Sequence, residues 1–224
     1  MKTTDNTILI TGGFTRLGLE LADYFSSWGN KVIITDKSIE KLNQAVEGKS
    51  NITPFFFDEC DEDSAKNLIQ YLKRHHSDLN VYINDSGDSY TNSEEYRENN
   101  CQDKILANYL SGISVTEQLL PIIESQNEVK IVDLSSVSIH TVSDKKLIPI
   151  VKASIESYSR LLQKKFSSIE FFDWQAAKID FKPSSQFIIK HLVGTFKEKK
   201  TDRSNSLVNY RHSSFAYAFS TMGF

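Results

Sequence analysis

Short apolar runs rich in β-branched residues alternate with longer amphipathic stretches along most of this chain, and no other feature narrows the fold so far. The runs at Thr7–Ile10, Lys31–Thr35, Ile52–Phe57, Asn80–Ile83, Val129–Leu134 and Ile169–Trp174 predict strands, with Ser206–Tyr210 a candidate seventh. Between them apolar residues recur at three- and four-residue intervals, as at Leu17, Leu21, Tyr24 and Phe25, which predicts helices. Further helices are expected over 39–46, 64–75, 101–124, 145–166 and 184–196, with the 101–124 helix ending at or just after Pro121. Residues 88–100 are polar and read as a loop. Strands that are apolar nearly throughout must be covered on both faces, and strict alternation of strand and helix makes them parallel. The predicted fold is therefore α/β, a doubly wound parallel sheet of about seven strands in three αβα layers, with right-handed crossovers.

The 224 residues contain no repeat, linker or low-complexity tract, so a single domain is expected over 1–224. Lys and Arg number 26 against 29 Asp and Glu, a net charge of −3. That excludes the basic excess of a nucleic-acid or anionic-membrane binder. Two cysteines, Cys60 and Cys101, are too few for a disulfide scaffold and fit a reducing compartment. No apolar run is long enough to cross a membrane, and Met1–Asn6 is not followed by a signal-peptide core. A cytoplasmic location is the expectation.

The first strand leads into Thr11-Gly12-Gly13-Phe14-Thr15-Arg16-Leu17-Gly18. Small residues at a strand–helix junction let backbone approach a diphosphate, and the helix start offers unpaired N–H groups and a positive dipole end. This turn resembles the Thr-Gly-x-x-x-Gly-x-Gly signature of the short-chain dehydrogenase/reductase family, with Arg16 where the middle glycine usually stands. The Arg-Leu-Gly variant is similar to the pteridine and dihydromonapterin reductase branch. Other marks of the family follow in order. Asp58 resembles its adenine-contacting acid, Asn84-Asp85-Ser86-Gly87 its Asn-Asn-Ala-Gly turn with two positions changed, Asn108 its helix asparagine, and Ser136 its catalytic serine. The resemblance implies a Rossmann-like domain that binds NAD(H) or NADP(H) through residues 11–18, Asp36, Asp58, Asn84, Ser86, Gly87 and Lys152. Asp36 ends the second strand, where a carboxylate accepts from a ribose 2′-OH and repels a 2′-phosphate. Arg16 pulls the other way, because a guanidinium pairs with that phosphate. The balance leans to NAD(H).

In the family a tyrosine gives the proton to the developing alkoxide, a lysine four residues on lowers its pKa, and a serine positions the carbonyl. Lys152-Ala153 resembles the family's Lys-Ala helix start, and Ser136, Lys152 and Asn108 match its catalytic set. The tyrosine position is occupied by Ile148, and Leu147, Pro149 and Ile150 beside it have no proton to give. Tyr158 lies six residues beyond Lys152, about 240° round the helix, so it reads as a packing residue. His140 titrates in the right range for a substitute donor. The family's Pro-Gly after the sixth strand is replaced by Gln175-Ala176-Ala177-Lys178, and its long substrate lid is nearly absent between Ile179 and Pro183.

Outside that constellation the signals are structural. His75, His76 and Asp78 read as the charged end of a helix rather than a metal site. The 197–203 charge run reads as solvated, and the aromatic tail from Tyr210 to Phe224 as packed on its own domain or on a partner. The resemblance implies a homodimer or homotetramer through helices 101–124 and 145–166, served by apolar positions such as Ile113, Leu119 and Leu120. Three functions stay open: a cofactor-binding relative that has lost standard hydride chemistry and acts as a regulatory or scaffold subunit; an active reductase of a carbonyl, imine or pterin-like molecule with another proton donor; and a protein-interaction module that binds no cofactor.

Overall fold

The computed structural model describes residues 1–59, 61–85, 101–134, 147–173 and 184–197, with the backbone alone at 101–110, 147–152, 155, 173 and 197. Six strands are present among these residues: β1 (Thr7–Thr11), β2 (Lys31–Asp36), β3 (Ile52–Phe56), β4 (Leu79–Asn84), β5 (Val129–Asp133) and β6 (Ile169–Asp173). All pairings are parallel and the order is β3-β2-β1-β4-β5-β6. The expected seventh strand and the aromatic tail lie outside the described residues. The helices are α1 (Arg16–Ser27), α2 (Ile39–Ala45), α3 (Glu62–His75), α4 (Cys101–Ile123), α5 (Leu147–Lys165) and α6 (Ser185–Lys197).

The sheet is covered on both faces, as its strand composition requires. One core gathers Leu9, Ile33, Tyr82 and Ile131 of the strands with residues of α3, α4 and α5. The other gathers Ile8, Ile10, Val32, Ile34, Val81 and Val132 with residues of α1, α2 and α6. Every residue of β1 is buried, the mark of a central strand. Pro54 lies within β3, where a missing N–H is tolerated because β3 is an edge.

The start of α3 differs from the sequence reading for a clear local reason. Helix α3 starts at Glu62 rather than Ser64, because the Asp61 side chain accepts from Asp63 N and caps it. Its acidic first turn and basic last turn then complement the helix dipole. Helix α4 ends at Ile123, just after Pro121 as expected. Leu119 and Leu120 are buried in this chain's own core, so they are not free to serve a subunit interface as the sequence suggested. Tyr158 is a packing residue as expected: its ring meets Phe171 edge-on and its hydroxyl donates to Glu117 of α4 at 2.8 Å.

One polar anchor escaped the sequence reading. Lys130 of β5 is fully buried, and its Nζ donates to Thr195 O at 2.8 Å and Thr195 Oγ1 at 2.9 Å at the end of α6. Glu170 lies 3.2 Å away and the Phe196 ring 4.8 Å from the ammonium. No described helix is long and apolar enough to cross a membrane.

Candidate functional site

Strand order reverses between β1 and β4, so their carboxyl ends open a crevice that the connecting helices leave on opposite faces. The chain leaves β1 at Thr11 and turns through Gly12, whose φ of +71° suits glycine. Gly13 N then donates to Thr35 O of β2 at 2.8 Å. A Cβ on Gly13 would stand 2.7 Å from Ile34 Cβ, and one on Gly18 2.8 Å from Gly12 O. These contacts explain three glycines at fixed spacing: one for the turn, one against β2, one for the return of α1 over the turn.

Thr15 caps α1. Its Oγ1 accepts from Gly18 N at 2.8 Å, and its own proton goes to the Asp85 carboxylate just beyond β4. Asp85 is 4% exposed, and its N donates to Thr11 O at 3.1 Å. The crevice is therefore tied across from both sides. Beneath it, Thr11 Oγ1 donates to Asn84 Oδ1 at 3.1 Å and lies 3.4 Å from the Tyr82 hydroxyl. Burial pushes that tyrosine's pKa upward, so it is held neutral. Gly112 of α4 packs against Asn84, since a Cβ there would come within 2.6 Å of Asn84 Nδ2. The sequence reading missed Gly112; a lone glycine inside an apolar helix was the available signal.

Toward the β3 edge, Asp36 Oδ1 accepts from Ser38 N at 2.8 Å, which fixes the carboxyl at the end of β2. Asp58 N donates to Ser64 Oγ at 2.9 Å, and Phe57 N to Asp36 O at 3.2 Å. Arg16 is the first residue of α1 and its guanidinium pairs with Glu20 at 2.8 Å, one turn on. Phe14 is partly buried against the core on that side, and Leu17 lies within it.

Thr11 to Gly18, Asp36, Asp58 and Asn84 thus gather at the carboxyl ends of β1, β2, β3 and β4. Ser86, Gly87, Ser136 and His140 lie outside the described residues, as do the side chains of Asn108, Ile148 and Lys152. Position 108 sits in α4 one turn before Gly112, and positions 148 and 152 are one turn apart in α5. His76, partly buried, shares a ring cluster with Tyr71 and His75, and among the described residues no group of His, Cys, Asp or Glu could hold a metal ion.

A family model described as short chain dehydrogenase matches residues 6–146. The uncharacterized oxidoreductase DltE of Bacillus subtilis is 29% identical over 188 residues, spanning 80% of this chain and 74% of that protein. The 7alpha-hydroxysteroid dehydrogenase of Bacteroides fragilis is 27% identical over 139 residues, 58% of this chain, and the match spans about half (54%) of that enzyme. Among solved structures, the Pseudomonas aeruginosa RhlG/NADP active-site complex superposes with a TM-score of 0.59 at 20% identity, covering 74% of this chain and 69% of that one.

Proposed function

The chain belongs to the short-chain dehydrogenase family, and from that premise we propose that it binds a nicotinamide dinucleotide, has lost tyrosine-dependent hydride transfer, and serves as a cofactor-binding regulatory or scaffold subunit. The observation that carries the binding is the glycine turn opening onto the crevice where strand order reverses. The residues present fit such a group. The glycines at 13 and 18 let the turn and the start of α1 pack closely, and Arg16 N and Leu17 N at the first turn of α1 would suit a diphosphate. Asp36 would accept from the adenosine ribose, which supports the lean to NAD(H), and Asp58 would meet the adenine. By the family's pattern Ser86 and Gly87 would join these contacts.

A bound nicotinamide supplies a hydride. The chain must then supply a proton at the developing alkoxide, with Ser136 to hold the carbonyl and Lys152 and Asn108 to support the donor. Ile148 stands four residues before Lys152 and carries no such proton. The same loss is suggested by Gln175-Ala176 in place of Pro-Gly and by the shortened substrate region.

A second reading is favoured by the relatives' names, an oxidoreductase and a hydroxysteroid dehydrogenase. In it His140, or a water held by Lys152 and Ser136, protonates a carbonyl, imine or pterin-like substrate. The exposed Leu161 of α5, 66% accessible, supports a homodimer or homotetramer through α4 and α5.

Calorimetric titration with NADH and NADPH tests the proposal. Binding of either tighter than about 100 μM is expected, without turnover of a carbonyl, imine and pterin panel. Turnover lost in Lys152→Ala and Ser136→Ala would establish the second reading. No binding of either dinucleotide would leave a protein-interaction module.

A further inference from the structure

The Thr15–Asp85 contact places a carboxylate beside the helix start to which the dinucleotide reading assigns a diphosphate. Thr15 has one hydroxyl proton. That proton is given to Asp85, while the oxygen accepts from Gly18 N. The cap hydroxyl is therefore not available to donate to a phosphate oxygen. Asp85 itself is buried beside the first turn of α1, so its charge is poorly screened by solvent. A helix start that already faces one anionic oxygen pair attracts a second anion less.

We infer that Asp85 is an affinity-determining residue, an internal anion that competes with the cofactor's diphosphate for the start of α1 and its Thr15 cap. The inference rests on the dinucleotide-binding reading above. It is independent of any proton donor, because the residues involved lie at the β1–α1 turn and not in α5. It also explains a departure that the sequence alone left without a reason: the second asparagine of the family's Asn-Asn-Ala-Gly turn is here an aspartate. An asparagine amide is uncharged and can either accept from Thr15 or donate to it; donation leaves the Thr15 proton for a phosphate. An aspartate carboxylate can only accept.

The test compares the full chain with Asp85→Asn and Asp85→Ser by calorimetry, using NADH, NADPH and inorganic pyrophosphate at low and high salt. Circular dichroism and thermal melts establish that each variant is folded. Asp85→Asn is expected to bind both dinucleotides at least fivefold more tightly than the native chain, with the gap narrowing as salt rises. Asp85→Ser, which is neutral and small, is expected to follow it. Binding by the variants alone, with none by the native chain, supports the inference in its strongest form. Finite and equal affinities in all three proteins overturn it and leave the cofactor reading standing. Absence of binding in all three folded proteins overturns the cofactor reading and this inference together. Failure of both neutral variants to fold overturns it too, making Asp85 a strut of the fold.

Discussion

Gly13 lies so close to Ile34 that a Cβ built on it would stand 2.7 Å from the Ile34 Cβ, with Thr35 N only 3.2 Å away. The glycine turn is thus seated on β2 as well as on β1. Gly13→Ala forces one of these elements to move. It is expected to cost about 1–3 kcal/mol in urea unfolding and to weaken dinucleotide binding at least tenfold. Unchanged affinity would mean that the turn is not the binding element.

In the proposed dinucleotide site the cofactor balance would rest on two exposed or half-exposed side chains of opposite sign, Asp36 and Arg16. Asp36→Ser keeps an acceptor for the Ser38 N–H but removes the charge at the end of β2. It is expected to shift the NADPH to NADH affinity ratio about tenfold toward NADPH, equivalent to about 1.4 kcal/mol. Arg16→Ala should lower NADPH affinity alone. Its bond to Glu20 is an exposed pair on one helix, so stability should be nearly untouched. Paired titrations check both.

The first βα unit, the strands and the placement of Thr11, Asp36 and Asn84 at strand ends were legible because each depends on local pattern: β-branched runs, a glycine turn, a carboxylate at a strand end. What stayed illegible depends on distance along the chain. Thr15 meets Asp85 across 70 positions, and Lys130 meets Thr195 across 65. Lys130 is the plainer case. A lysine among Val129, Ile131 and Val132 gives a strand from sequence, but nothing local says that its amine is buried under α6.

That anchor gives a stability prediction. Lys130→Ala removes a fully buried stem and leaves the Thr195 carbonyl and hydroxyl without their donor. A loss of about 2–5 kcal/mol is expected. Lys130→Met preserves most of the volume and should cost less, because its other partner, Glu170, is 39% exposed and can be solvated. Urea unfolding of the two variants decides the order; equal losses would mean that the charge, not the packing, sets the cost.

Acid should weaken the fold in two steps. Burial holds the His76 imidazole below the ordinary histidine value, outweighing the Asp78 charge, with His75 and Lys31 acting in the same direction as burial. The unfolded chain then binds the proton more readily, so this stability is complete above about pH 6.5 and is lost as pH falls through the lowered folded value. For Asp78, burial raises the carboxyl pKa, but hydrogen bonds from Lys31 and Thr7 outweigh it and hold it below 3.8. Its contribution is present above that pH and disappears below it. Thermal midpoints measured from pH 8 to pH 3 should show both limbs, and His76→Gln should remove the upper one.

The lysine anchor also sets the order in which a ribosome can finish this domain. Lys130 is translated 65 residues before its acceptor Thr195. In the interval neither the Thr195 carbonyl nor its hydroxyl exists to receive the ammonium, so the place it occupies under the final helix stays open to water. Arrival of the final helix supplies a carbonyl, a hydroxyl and an aromatic ring together, and only then does dehydration become favourable. A chain stalled short of residue 195 would therefore lack the three groups that receive the Lys130 amine in the completed fold.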